Sequence, residues 1–144
     1  MKTAILVAIF LAVTPGIPSN CVGCDLARRD FHGADFSGVN YVGVDLSESN
    51  LRGARFERAI LQGIDFNGAD LRDADFRNAK LCWDGHGKWD DGISCPDFRN
   101  ANVQDADFRG ALLCDVRDKQ SCKPVDRATL QTGSRSDLAG ANLP

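Results

Sequence analysis

The sequence predicts an all-β fold, a solenoid of short extended segments and tight corners, and two observations predict it. Apolar centres recur every five residues at Leu26, Phe31, Phe36, Tyr41, Leu46, Leu51, Phe56, Leu61, Phe66, Leu71, Phe76 and Leu81, with no slip. Gly33, Gly38, Gly43, Gly53, Gly63 and Gly68 close many of the five-residue units. A period of five matches neither the 3.6 residues of a helix nor the 2.0 of a strand, so neither element alone puts the centres on one side. The chain has to turn once per unit, and a corner that needs positive φ costs Gly little. Each coil of such a solenoid is buried only by its neighbours.

Taken in chain order, residues 1–20 read as a signal peptide. One Lys, ten apolar residues from Ala4 to Val13 and a Thr-Pro-Gly stretch fit a secretory leader. Ten apolar residues are too few to span a bilayer, which needs about 20. No clean A-x-A precedes a cut, and cleavage after Gly16 or after Ser19 both fit. An uncleaved anchor and a lipid-anchored Cys21 are the alternatives, the latter with a poor run-up in Pro18, Ser19 and Asn20.

Residues 21–144 form the mature domain. Removing the leader takes Lys2 and no acid, which moves the formal charge from −3 to −4. That mild acidity argues against broad nucleic-acid binding by charge. All six cysteines, Cys21, Cys24, Cys82, Cys95, Cys114 and Cys122, follow the leader. An even count in a small exported chain favours disulfides over free thiols or zinc. CVGC at 21–24 is nominally half a metal site or a redox pair, but there are only two His and no second C-x-x-C.

Two residues before the centres sit small or β-branched residues, among them Ala34, Ala54, Ala59, Ala69, Ala74 and Ala79, which let adjacent corners approach. Arg29 breaks this rule in the first coil, where the open end of a solenoid calls for a cap. The count is interrupted twice. Leu81 to Phe98 is one unit plus an insertion of twelve residues, placing an insertion near 82–95, after which Val103, Phe108 and Leu113 resume. Leu113 to Leu130 has the same length, and LCDVRDKQSCKP echoes LCWDGHGKWDDGISCP, so a second insertion is expected near 114–127. Leu138 and Leu143 would begin a last, incomplete coil.

These units resemble the pentapeptide repeat family, whose motif is A(D/N)LXX, over residues 24–83 and again over 96–115. The resemblance implies a right-handed, four-sided β-helix of about five coils, in which residues twenty apart stack. Phe36, Phe56, Phe76 and Phe108 then form one file, Phe66 and Phe98 share another, and coils lie about 4.8 Å apart. The rod would be roughly 20 to 25 Å long.

Four faces sort the surface. Asp25, Asp45, Asp65 and Asp97 become a column of like charges, either accepting corner N–H groups as Asp and Asn do in turns, or forming a cation site or a mimic of DNA phosphates. Asn50, Asn102 and Asn142 share the Asp positions, which hydrogen bonding tolerates and charge mimicry does not, and Arg52, Arg72, Arg77 and Arg109 interleave positive charge. The fourth face differs. Its outward positions, Asn40, Val42, Ile60, Gln62, Lys80, Cys82, Leu112 and Cys114, carry no acid and expose three apolar side chains, a strip that wants a cover. Both insertions leave from this face, the first carrying Trp83 and Trp89. The partner-binding candidates are therefore Trp83, His86, Trp89, Ile60 and Leu112, with self-covering by the loops as the competing reading.

Pairing Cys82 with Cys95 and Cys114 with Cys122 would staple each insertion at its base and leave Cys21 with Cys24. The rival joins Cys82 to Cys114, one coil apart, and six cysteines allow fifteen connectivities in all. DGHGKWDDG at 84–92 gathers His86, Asp84, Asp90 and Asp91, but in the spacing of neither a calcium loop nor a zinc motif. No metal or cofactor is expected, and a rod filled by its own side chains offers no concave site where a nucleophile and base meet. His32, outward beside Asp30 and Arg52, has no nucleophile near it.

The expected function is therefore a non-enzymatic exported binding or structural module, a rigid rod engaging a protein partner as a monomer or weak dimer. The periplasm, a secreted location or, in a photosynthetic source, the thylakoid lumen would host it. The family supplies the alternative: its quinolone-resistance members are acidic cytoplasmic dimers that mimic DNA and bind gyrase. An enzyme of unknown class is the remaining one.

Overall fold

The computed structural model of the chain describes residues 16–83, 96–115 and 122–125. Six short strands follow one another: β1 (Asn20–Val22), β2 (Asn40–Val42), β3 (Ile60–Gln62), β4 (Lys80–Trp83), β5 (Leu112–Asp115) and β6 (Cys122–Pro124). They form one sheet in chain order, parallel from β1 to β5, with β6 antiparallel to β5. Cys21 registers with Tyr41, and Tyr41 with Leu61, so one turn of the chain takes twenty residues.

Three further ladders of single bridges run parallel to this sheet. Asp25, Asp45, Asp65 and Asp97 make one; Asp30, Asn50, Asp70 and Asn102 the next; Asp35, Arg55, Asp75 and Asp107 the third. With the sheet they are the four sides of a β-helix, as the family resemblance implied. The step from Asp65 to Asp97 absorbs the first insertion without a change of register, and the amide of Asp97 donates to the Ile64 carbonyl at 2.7 Å. Residues 84–95 of that insertion, like residues 126–144 with Leu130, Leu138 and Leu143, lie outside the described residues.

Backbone bonding alternates along each unit. The amide before a centre bonds the preceding coil, as Asp45 N–H does to the Cys24 carbonyl at 2.9 Å. The amide of the centre itself bonds the following coil, as Leu46 N–H does to the Asp65 carbonyl at 2.8 Å. Every interior coil is thereby tied on both sides, which a lone coil could not be.

The interior is a set of vertical files. Phe36, Phe56, Phe76 and Phe108 stack with centroids 4.8, 4.8 and 4.7 Å apart and planes within 6°. Phe66 stacks on Phe98 at 5.1 Å, and both meet the first file edge-on. The spacing of the stacks is the coil spacing itself, so ring contact and backbone pairing are satisfied by one rise. Ala54, Ala59, Ala74, Ala79, Ala106 and Ala111 fill the corners with almost no exposed surface.

The corners differ from the sequence reading in one respect. Positive φ occurs at the predicted glycines and at Arg28, Glu48, Arg58, Asp73, Asn78, Asn100 and Asp105. The left-handed conformation belongs to the position, not to glycine. It is held there by the ladder, since the corner amide donates to the next coil: Arg58 N–H to the Arg77 carbonyl at 3.0 Å, Asp73 N–H to that of Gln104 at 3.0 Å.

The second interruption also departs from a plain loop. Inside the predicted 114–127 insertion the chain reverses, and β6 pairs back on β5 with Leu112 opposite Pro124. Val125 is buried and donates its amide to the Ala111 carbonyl at 3.0 Å.

Candidate functional site

On three faces the outward polar groups are committed to the fold. Where Asp or Asn precedes a centre, its side chain accepts the backbone N–H two residues on: Asp35 from Ser37 at 2.9 Å, Asp45 from Ser47 at 2.9 Å, Asp65 from Asn67 at 2.8 Å, Asp97 from Arg99 at 2.9 Å. Asn50 and Asn102 accept from Arg52 and Gln104 in the same way, as the turn-chemistry reading of this position required. Asp30 accepts the His32 backbone amide at 3.1 Å in the same corner bond.

Four of these acids also hold an arginine in a two-point grip. Arg72 bonds Asp70, Arg77 bonds Asp75, Arg99 bonds Asp97 and Arg109 bonds Asp107, each through Nε and Nη2. The side-chain bond from the arginine holds the Asp70, Asp75 and Asp107 carboxyls below the usual carboxylate range. For Asp35 and Asp45 the neighbouring Ser37 and Ser47 do the same. Asp70, Asp75, Asp97 and Asp107 are thereby paired with arginine, whereas Asp25, Asp45 and Asp65 of the first column make no ion pair among the described residues; no cluster able to hold a metal ion occurs among the described residues.

The N-terminal end is capped locally. The Arg29 guanidinium donates to the Asp25 carbonyl at 3.2 Å, while its amide donates to the Ser49 hydroxyl at 3.3 Å. That hydroxyl, buried, donates in turn to the Leu26 carbonyl at 3.1 Å. Cys21 and Cys24 lie within disulfide distance, with Cα atoms 6.0 Å apart. Gly16, Ile17 and Pro18 cross this end above Leu26, Arg29 and Phe31 and leave a shallow depression there.

The fourth face remains. One outward row runs Asn20, Asn40, Ile60, Lys80, Leu112; the other runs Val22, Val42, Gln62, and the backbone of Cys82 registers with that of Cys114 farther along the sheet. Ile60 and Leu112 are both half-buried, and Lys80 stands between them, so these two predicted residues do not touch through the row. The adjoining apolar pair lies nearer the N-terminal end, where Val22, 80% exposed, registers with the half-buried Val42, while Ile60 on the next strand registers with Asn40. Val22 was missed in the sequence because it precedes the first unit counted; it lies twenty residues before Val42, and that spacing is the signal that finds it.

Trp83 ends β4 and registers with Asp115. His86, Trp89 and Cys95 lie outside the described residues. Cys82 registers with Cys114, and Cys114 with Cys122, so the backbone places Cys114 opposite both of its candidate partners.

A family model described as pentapeptide repeats matches residues 19–58 and 49–83, in eight copies. No curated protein sequence matches the chain. Among solved structures, a pentapeptide repeat protein from the Arabidopsis thaliana thylakoid lumen is similar at 21% identity and a TM-score of 0.42, over 87% of this chain and 62% of its own. This chain thus spans about three fifths of that protein. A pentapeptide repeat protein of the cyanobacterium Cyanothece 51142 is similar at 20% identity and a TM-score of 0.35, over 87% of this chain and 84% of its own. The plasmid-mediated fluoroquinolone resistance protein QnrB1 is similar at 24% identity and a TM-score of 0.35, over 67% of this chain and 51% of its own.

Proposed function

The chain being a pentapeptide repeat protein across residues 19–83, we propose that it is an exported, disulfide-stapled binding or structural module without enzymatic activity. It engages a protein partner through the fourth face and the insertion that leaves it at Trp83. One observation carries this reading. On three faces most Asp and Asn side chains accept corner N–H groups or pair with arginine, whereas the fourth turns Val22, 80% exposed, and the half-buried Val42 and Ile60 outward. Apolar groups in a contiguous patch mark a contact surface. Trp83, Trp89 and His86 on the insertion, with Leu112 beyond Lys80, extend the same contact.

The reading of the rod as a DNA mimic finds less support, because Asp70, Asp75, Asp97 and Asp107 are gripped by arginines and Asn50, Asn102 and Arg55 interrupt two of the three acidic ladders. The test combines cell fractionation with affinity capture by the oxidised mature protein, set against Ile60→Glu and the Trp83→Ala, Trp89→Ala pair. The expected result is an exported chain whose partner is lost in both variants. Unchanged recovery in both removes the fourth face from the proposal, and inhibition of a topoisomerase by the purified protein replaces the proposal with the DNA-mimic reading.

A further inference from the structure

We infer that the leader is removed at the Gly16–Ile17 bond, so that the mature chain begins at Ile17; this rests on the export reading proposed above. Cuts after Gly16 and after Ser19 both follow a small residue. They differ in what they take from the rod. Ile17 is half-buried and packs on the core beside Leu26. The Tyr41 hydroxyl, on a side chain with no exposed surface, donates to the Pro18 carbonyl at 2.9 Å. The Asn40 amide donates to the Ser19 carbonyl, also at 2.9 Å.

A cut after Ser19 removes all three contacts at once. It strips the acceptor from a buried hydroxyl, a group that is costly to leave unpaired, and takes the apolar cover from Leu26 and Phe31. A cut after Gly16 removes none of them. Gly16 is exposed, and a side chain at its Cα would meet nothing within 4 Å. The recognition pattern of secretory cleavage points to the same bond independently. With Gly16 on the acyl side, the third residue before the cut is Thr14; with Ser19 it is Ile17, a larger apolar residue where a small one is wanted. The reaction is hydrolysis: one water adds across the amide, leaving a carboxylate on Gly16 and an amine on Ile17.

The test expresses the full chain from Met1 in a bacterium with a secretory pathway and reads the exported form by intact mass and N-terminal sequencing. The expected form starts at Ile17. Gly16→Leu loses that form and accumulates precursor, while Ser19→Leu leaves the start residue unchanged. An exported form beginning at any other residue, Asn20 included, overturns the assigned bond and leaves export standing. A chain that stays unprocessed in the cytoplasm overturns the export reading, and the assignment with it.

Discussion

Phe76 shows what a single residue contributes to this molecule. It stacks on Phe56 and Phe108 and meets Phe66 and Phe98 edge-on, with no exposed surface. Phe76→Ala opens a cavity that the four-sided backbone has no slack to close, and is expected to cost about 3 to 5 kcal/mol by chemical denaturation. A loss under 1 kcal/mol would contradict the packing described. The corner position two residues after a centre gives an opposite case. Arg58 holds φ at 58° there, which a side chain tolerates poorly and glycine does not resist. Arg58→Gly is expected to raise stability by about 0.5 to 1 kcal/mol, whereas Gly53→Val, at φ 66°, is expected to lower it by about 1 to 2. Thermal melts of the two variants should move in opposite directions.

At the scale of elements, the five-residue unit was legible because its three constraints repeat: an inward centre, a small residue before it, and Asp or Asn between them. Each survives local variation, as Asn50 and Asn102 do for Asp and Glu48 does for Gly. The reversal at β6 was not legible. CKP carries no period, and its place beside Leu112 and Leu113 is set by the exposed edge of β5, which offers unpaired backbone to whatever strand follows. That reversal bears on the cysteines. Cys114 registers with Cys82 on one side and with Cys122 on the other, across the antiparallel pair. Peptide mapping of the oxidised protein is expected to recover Cys114 linked to Cys122 and Cys21 linked to Cys24. Recovery of Cys82 linked to Cys114 would refute that pairing.

For the whole molecule, stability should depend on acid in a definite direction. Asp35, Asp45, Asp70, Asp75 and Asp107 titrate below the ordinary value of 3.8, the first two held down by serine hydrogen bonds and the others by arginine. A carboxyl depressed in the folded state binds its proton more readily when unfolded. Its contribution is therefore complete above about pH 4, the unfolded value, and is lost as pH falls through the lower folded values. Melting temperature is expected to be flat from about pH 7 to 5 and to fall below about pH 4, each exposed pair adding little and the ladder adding them together. A midpoint unchanged at about pH 2.5 would show that the pairs do not support the fold.

The sequence by itself determined the coil. A period of five with large inward centres and small corners has one economical solution, because burial then requires a turn per unit and a neighbour above and below. It also favoured corner chemistry for Asp, since Asn shares its positions, and the corner bonds of Asp35, Asp45 and Asp65 bear that out. Tertiary structure alone decided what happens where the period stops. That the first insertion leaves the register intact follows from Asp97 bonding Ile64, and that Arg29 and Ile17 cover the first coil and β6 pairs back on β5 follows from contacts outside the repeat. Such contacts are made once, by residues far apart in the chain or outside any repeat, and a contact made once leaves no period to read.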